Sequence, residues 1–348
     1  MTFKIYLEFD EFEDRLPGLH GRYLLLARQE RPWRLASTDL CDVVLTKGRE
    51  GAASIFSSRA QADSFILFVS LSGAGSIKVD GHRLDSGEFA WMAPGRLSHI
   101  ESDLPSSWLR IVIPRDAVVS RFASGDDAVA LASLDCNQVK SARGPIYDLV
   151  RLSRRIFGLD ADCGNSPLTQ DRAQAIKREL MDTVYRMLVP LTDRKPGGRP
   201  DPNSLRVLDR ALELIETRVG ERLNADDLSR AAGMSERSLQ NAFSRNFAVS
   251  PHRYVVIARL HAVRAAIHAA QPGDSVTTIC SDLGISDFGR CASQYRRLFG
   301  VLPSQDLGVR RAALARRARL DRPDSQKCRP RVFSKQRAIV PRHPADIG

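Results

Sequence analysis

The chain has 348 residues, 43% of them hydrophobic and 27% charged, with a net charge of +11 at pH 7. That is too long for one typical domain and suits two plus a tail, and the apolar fraction excludes a wholly disordered chain. No apolar run approaches the ~18 residues that would span a bilayer. The opening MTFKIYLEFDEFED lacks the basic start and apolar middle of a secretory leader, so a soluble cytoplasmic protein with no membrane partner is expected.

Residues 20 to about 115 show short apolar runs split by turn residues: SFILFVSLSG (64–73), GSIKVDGHRLDSGEFAWMAPG (75–95) and SWLRIVIP (107–114). Ile77 and Val79 alternate with polar residues, and Asp80-Gly81 supplies a turn before a second strand. Strands of this length and spacing predict a small β-barrel or a double-sheet sandwich. Trp33, Trp91 and Trp108 could line a pocket or simply fill the core. A metal site needs three or four converging ligands. His82 and His99 stand alone with no His-x-His in the chain, and Glu88 and Glu101 are not at ligand spacing. Structural histidines are expected, with no metal, no cofactor and no catalytic residues. The cysteines at 41, 136, 163, 280, 291 and 328 form no Cys-x-x-Cys pair and read as reduced thiols, mostly packed as small hydrophobes.

Residues 145–191 switch to helical spacing. Ile146, Leu149, Val150 and Ile156 fall on one stripe; Ile176, Leu180, Val184, Met187 and Leu188 fall on another. These predict helices that close the domain, or alternatively a seam between two copies. The segment DRKPGGRPDPN (193–203), with three prolines and two glycines, reads as a linker.

The sequence after the linker is helical. Asn224 with Asp227 three residues on resembles a capping box, and that helix ends at Gly233. Ser235 caps the next helix. Ser250 with Pro251 at the first helical position starts a third. The pattern then repeats. Gly233-Met-Ser235 recurs as Gly284-Ile-Ser286, and the stripe Leu239, Phe243, Phe247 recurs as Cys291, Tyr295, Phe299, with one extra residue in the second copy. Each copy is a short helix, a glycine turn and a second helix with one apolar stripe, which is the helix-turn-helix pattern. The stripe anchors the second helix and leaves its other face free to enter a major groove about 12 Å wide. Arg237, Gln240 and Asn241 share that face; Arg suits guanine and Gln or Asn suits adenine. Arg245, Arg296 and Arg297 are candidates for phosphate contacts. The intervening helix of ~20 residues would be roughly 30 Å long, near the ~34 Å of one DNA turn.

LSRAAGMSERSLQNAFSRNFAVSPHRYV and ICSDLGISDFGRCASQYRRLFGVLPSQ resemble the two helix-turn-helix motifs of the AraC/XylS family of bacterial transcription regulators. LSGAGSIKVDGHRLDSGEFAWMAPG, closed by IVIPRDAV, is similar to that family's cupin-like sensing domain. The resemblance implies an α+β chain: a cupin-like β-barrel with closing helices, then an all-α domain. It implies an effector-responsive activator, not an enzyme, that reads two successive major grooves. Its partners would be promoter DNA and an unidentified small-molecule effector, with RNA polymerase and a second copy of the chain as further candidates. Base contacts would come mainly from Arg237, Gln240 and Asn241, with Ser238 beside them, and from Arg290 and Ser293 in the second motif. Ile285 and Cys291 stand where the family often has Phe. Gly289 inside the second recognition helix would cost about 1 kcal/mol relative to alanine.

The expected domains are 1–192 (effector sensing or dimerisation), 193–203 (linker), 204–308 (DNA binding) and 309–348 (basic tail). Lys/Arg against Asp/Glu number 27 and 27 over residues 1–203, 13 and 11 over 204–308, and 12 and 3 over 309–348. The basic excess is therefore mostly C-terminal, which reads as a solvated end with a general attraction for phosphates. The alternatives are a metabolite-binding cupin-type enzyme with an accessory DNA-binding domain, and a DNA-coating protein that works through its tail.

Overall fold

The structure, a computed structural model, describes residues 4–6, 9–13, 16, 19–72, 76–122, 134, 135, 137–158, 169–192 and 202–320. The N-terminal half is built from strands β1 (Lys4–Tyr6), β2 (Leu19–Leu25), β3 (Trp33–Leu40), β4 (Val43–Arg49), β5 (Ser54–Ala60) and β6 (Ser64–Ser70). They are followed by β7 (Ile77–Val79), β8 (His82–Arg83), β9 (Glu88–Met92), β10 (Leu97–Ser102), β11 (Ser107–Pro114) and β12 (Gln138–Ser141). One sheet has the order β1-β3-β4-β11-β6-β9-β12 and the other β2-β5-β10-β7-β8. Neither edge of one sheet pairs with an edge of the other. The described strands therefore form two open sheets, which corrects the closed barrel and leaves the double-sheet arrangement.

The apolar run of β6 follows from its place in the layers. Phe65, Leu67 and Val69 face the same core as the covering helices, while Ile66 and Phe68 face the five-stranded sheet. A strand covered on both faces has no position left for a polar side chain. Helices α1 (Phe9–Glu13), α2 (Arg115–Phe122), α3 (Arg143–Gly158) and α4 (Gln170–Thr192) complete this half. Ile146, Leu149, Ile156, Ile176, Leu180, Val184, Met187 and Leu188 are buried with Leu67 and Ile111 of the seven-stranded sheet. These stripes close the domain.

Two of the three tryptophans are core plugs. Trp33 packs on Phe9 and Phe12 of α1 at ring separations of 5.8 and 4.9 Å. Trp91 stacks on Phe65 at 4.7 Å and donates its indole N–H to the Leu134 carbonyl at 2.9 Å. Of the cysteines among the described residues, Cys280 and Cys291 are buried, whereas Cys41 is exposed.

The C-terminal half is helical: α5 (Pro202–Thr217), α6 (Ala225–Ala232), α7 (Glu236–Phe247), α8 (Pro251–Ala269), α9 (Val276–Asp282), α10 (Phe288–Phe299) and α11 (Pro303–Leu320). α5 begins inside the expected linker, of which residues 193–201 lie outside the described residues. α11 continues to Leu320, so residues 309–320 are helical rather than part of a tail; residues 321–348 lie outside the described residues. α11 is held to the domain by Asp306, which accepts from Tyr295 and faces Arg264 at 3.7 Å and His268 at 3.5 Å.

The two halves share one apolar cluster. At their boundary the Leu25 backbone N–H donates to His261 Nε2 of α8 at 2.9 Å. The His261 ring stands edge-on to Phe9 at 5.6 Å and to Phe299 at 5.1 Å.

Candidate nucleic-acid interface

The first unit is α6, a glycine turn and α7. Asn224 accepts from the Asp227 backbone N–H at 2.9 Å, and its own N–H donates to the Asp227 carboxylate at 3.0 Å. This reciprocal box satisfies two donors that helix geometry leaves open. Gly233 ends α6 at φ 67°, in the left-handed region where a side chain is strained. Ser235 then caps α7 by accepting from the Ser238 N–H at 3.2 Å. Leu239, Phe243 and Phe247 are fully buried, and the two phenylalanine rings pack on Tyr254 of α8 at 5.4 and 5.0 Å. Burying this stripe turns Arg237, Ser238, Gln240, Asn241 and Arg245 to the outside, where all five are exposed. Two of them have other duties. The Ser238 hydroxyl lies 2.9 Å from that of Ser235 in the cap. Arg245 lies against the β7–β8 turn, so closely that a Cβ on Gly81 would stand 2.9 Å from Arg245 Cγ.

The second unit is α9, a glycine turn and α10. Gly284 takes φ 64°, matching Gly233. The cap differs: Asp287, not Ser286, accepts from the Arg290 N–H, at 2.9 Å. Ser286 instead accepts from the Arg222 guanidinium at 3.2 Å. This accounts for the extra residue in the second copy. With caps as the common origin, the positions of Arg237, Gln240, Asn241 and Arg245 in α7 are held in α10 by Gly289, Ala292, Ser293 and Arg297. The second face is thus short of long polar side chains at its centre and basic around it, with Arg290, Ser293, Arg296 and Arg297 exposed. Gly289 lies in the first turn of α10, where the interior penalty expected for it does not apply in full. Ile285 packs half-buried on the core. Cys291 is buried beside Cys280, and burial pushes its thiol up to about 12, so it is an inert packing group. The connecting α8 has 19 residues, a span of roughly 28 Å at 1.5 Å each.

The β-domain encloses a cavity of about 10 Å³ between its two sheets, bordered by Tyr23, Phe56, Ile66, Ile100, Trp108 and Arg110. Trp108 is the tryptophan among the three that reaches it. At one end Glu50 is buried and accepts from Ser102 at 2.7 Å, Ser106 at 3.0 Å, Ser54 at 3.1 Å, and Tyr23 and Trp108 at 3.3 Å. Burial pushes its carboxyl above the ordinary range against those bonds. The Arg110 guanidinium lies 5.9 Å from the Trp108 ring centroid, and burial lowers its pKa to about 10. Sequence reading passed over both residues. Arg110 carried a signal, a lone charge inside the apolar run SWLRIVIP; Glu50 carried none.

The four residues weighed as metal ligands are partnered otherwise. His82 pairs with Glu88 at 3.3 Å, Lys78 with Glu101 at 2.8 Å, and His99 Nδ1 lies 2.9 Å from the Ser57 hydroxyl. Among the described residues no group of three or more His, Cys, Asp or Glu could hold a metal ion, and no helix is long and apolar enough to cross a membrane.

Residues 228–308 match a family described as a helix-turn-helix domain. The chain is 33% identical over 100 residues to an XylDLEGF operon transcriptional activator of Pseudomonas putida, covering 28% of this chain and 31% of that protein. It is 32% identical over 109 residues to a probable thc operon regulatory protein of Rhodococcus erythropolis, covering 31% of this chain and 33% of that one. The matching segment spans about a third of the length of these relatives. Among solved structures, the AraC-like transcriptional activator CuxR superposes over 80% of this chain and 98% of its own with a TM-score of 0.41 and 18% identity. Two glycine-turn units with capped second helices, joined by α8, make residues 228–308 of this chain a helix-turn-helix domain, and the chain is similar in sequence to these operon activators over about 100 residues.

Proposed function

We propose that this chain is a sequence-specific DNA-binding transcriptional regulator, an effector-responsive activator, whose two recognition helices divide the work. α7 reads bases through Arg237, Gln240 and Asn241, with Ser238 at the edge of that face. α10 holds the backbone through Arg290, Arg296 and Arg297, with Ser293 close to the groove; Arg245 adds a phosphate contact at the end of α7. The observation that carries this reading is the contrast between the cap-aligned faces: Arg, Gln and Asn in α7 against Gly, Ala and Ser in α10. Long donors reach base edges, whereas small residues flanked by arginines bring the helix close to phosphates without reading sequence. The relatives named as operon activators support the regulatory role.

In the same reading, residues 1–192 sense an effector at the inter-sheet cavity and residues 204–308 bind promoter DNA in the cytoplasm. RNA polymerase and a second copy of the chain are further contacts. The test is selection of bound duplexes from a random library by the full chain. A recovered site covering two successive major grooves, with base preference concentrated in one of them, is expected. Recovery without sequence preference overturns the reading and leaves a general DNA-coating protein. Truncation after Leu320, which spares α11, should keep the preference and lower only the overall affinity.

A further inference from the structure

The five-stranded sheet is a single layer with a different occupant on each face. Its register places Tyr23, Phe56 and Ile100 side by side on β2, β5 and β10, and Arg22, Ser57 and His99 side by side one residue away. Neighbours along a strand point to opposite faces. Tyr23, Phe56 and Ile100 border the inter-sheet cavity. The other face meets the helical domain. His99 stands edge-on to Phe247 of α7 at 5.0 Å and faces the Asp209 carboxylate of α5 at 3.6 Å, and Ser57 hydrogen-bonds to Tyr254 of α8. Phe247 is the last residue of the stripe that anchors α7.

The cavity of about 10 Å³ has room for one water molecule. Anything larger can enter only by displacing the side chains that line it and the strands that carry them. Close-packed interiors pass such a displacement on rather than absorb it, and on this side only the thickness of one strand separates cavity from helix.

We propose that β2, β5 and β10 are the mechanical link between the inter-sheet cavity and the first recognition helix, and that His99 is the positioning residue through which a change at Ile100 reaches Phe247. This deepens, and rests on, the reading of α7 as the base-reading helix. It predicts an asymmetry. Ile66 and Ile100 border the same cavity, but Ile66 lies on β6 of the seven-stranded sheet, whose other face carries α3 and α4.

The experiment is amide hydrogen exchange of residues 236–247 in the full chain, without DNA. Ile100→Ala should speed exchange there by about tenfold, and Ile66→Ala, the same truncation, by less than about twofold. Ile100→Ala in a His99→Ala background should add nothing beyond His99→Ala alone. Equal responses to the two truncations, no response to either, or full additivity with His99→Ala overturns the proposal. If an alanine variant does not fold, Ile100→Val and Ile66→Val give the same comparison with a smaller truncation. Because the readout involves no DNA, a negative result leaves the base-reading assignment standing, whereas failure of the duplex selection removes that assignment whatever the exchange shows.

Discussion

The carbonyl oxygen of Gly220 occupies the place where Gly284 would carry a side chain: a Cβ on Gly284 would stand 1.8 Å from it. Gly233, the corresponding residue of the first motif, has nothing within 4 Å of its Cβ position. Their φ values, 64° and 67°, are nearly equal, so the backbone strain of an alanine is the same at both, about 1 kcal/mol. Gly233→Ala should therefore lower stability by about that amount. Gly284→Ala should lose a further 1–3 kcal/mol or so, because the backbone around Gly220 must move. Denaturant melts of the two variants check this; equal losses would show that the segment around Gly220 yields freely.

Arg237 and Arg297 are both exposed arginines, on α7 and α10 respectively, and they should fail differently. Arg237→Ala should cost about 1–3 kcal/mol at one position of the recovered DNA site and relax the choice of base there. Arg297→Ala should weaken binding about uniformly across sequences and reduce the salt slope by about one. Binding isotherms on single-substituted duplexes at several salt concentrations separate the two. A uniform loss for Arg237→Ala would move that residue to the backbone. Leu239→Asp, which places a charge in a fully buried position, should unfold the helical domain, so that helical signal falls and binding is lost together.

Asp306 joins three elements: it lies on α11, accepts from Tyr295 of α10, and faces Arg264 and His268 of α8. Burial pushes its carboxyl up, but the bonds from His268 and Tyr295 and the Arg264 charge outweigh that and hold it below the ordinary carboxylate range. Asp306→Asn keeps the shape and removes the charge. It should destabilise the chain by about 1–3 kcal/mol at neutral pH, with the loss shrinking as the wild-type carboxylate is protonated on acidification. Thermal melts at pH 7 and at acid pH measure both effects.

His261 makes the domain boundary sensitive to acid. Burial, and then the Arg22 and Arg264 charges, lower its pKa to about 3, against the bond from Leu25 N–H. The unfolded chain takes up this proton first as pH falls from about 6.5. Stability present above that value is therefore lost on the way down toward 3, by up to about 1.4 kcal/mol per pH unit. His261→Gln retains an acceptor for the Leu25 N–H and does not titrate. The wild type should lose stability faster than this variant between pH 7 and pH 5; parallel curves would mean that His261 is not buried neutral in solution.

What the residues alone determined is the pair of glycine-turn units. Caps act over three residues, stripes over four, and a positive φ belongs to one glycine, so Asn224, Ser235, Gly233 and the Leu239–Phe243–Phe247 stripe carry their meaning within a few positions of themselves. The same locality made the strands of the N-terminal half and the stripes of α3 and α4 readable. It stops short at Ser286, which mirrors Ser235 in sequence while Asp287 takes the cap and Arg222, 64 positions away, takes Ser286.

Tertiary structure decided the rest: that the sheets stay open, that Glu50 gathers five donors from across the fold, and that the helical domain docks on the outer face of β2, β5 and β10. The bond from Leu25 to His261 joins residues 236 positions apart. Such a pair leaves no periodicity or spacing in the chain, because it comes into being only when two separately folded surfaces meet.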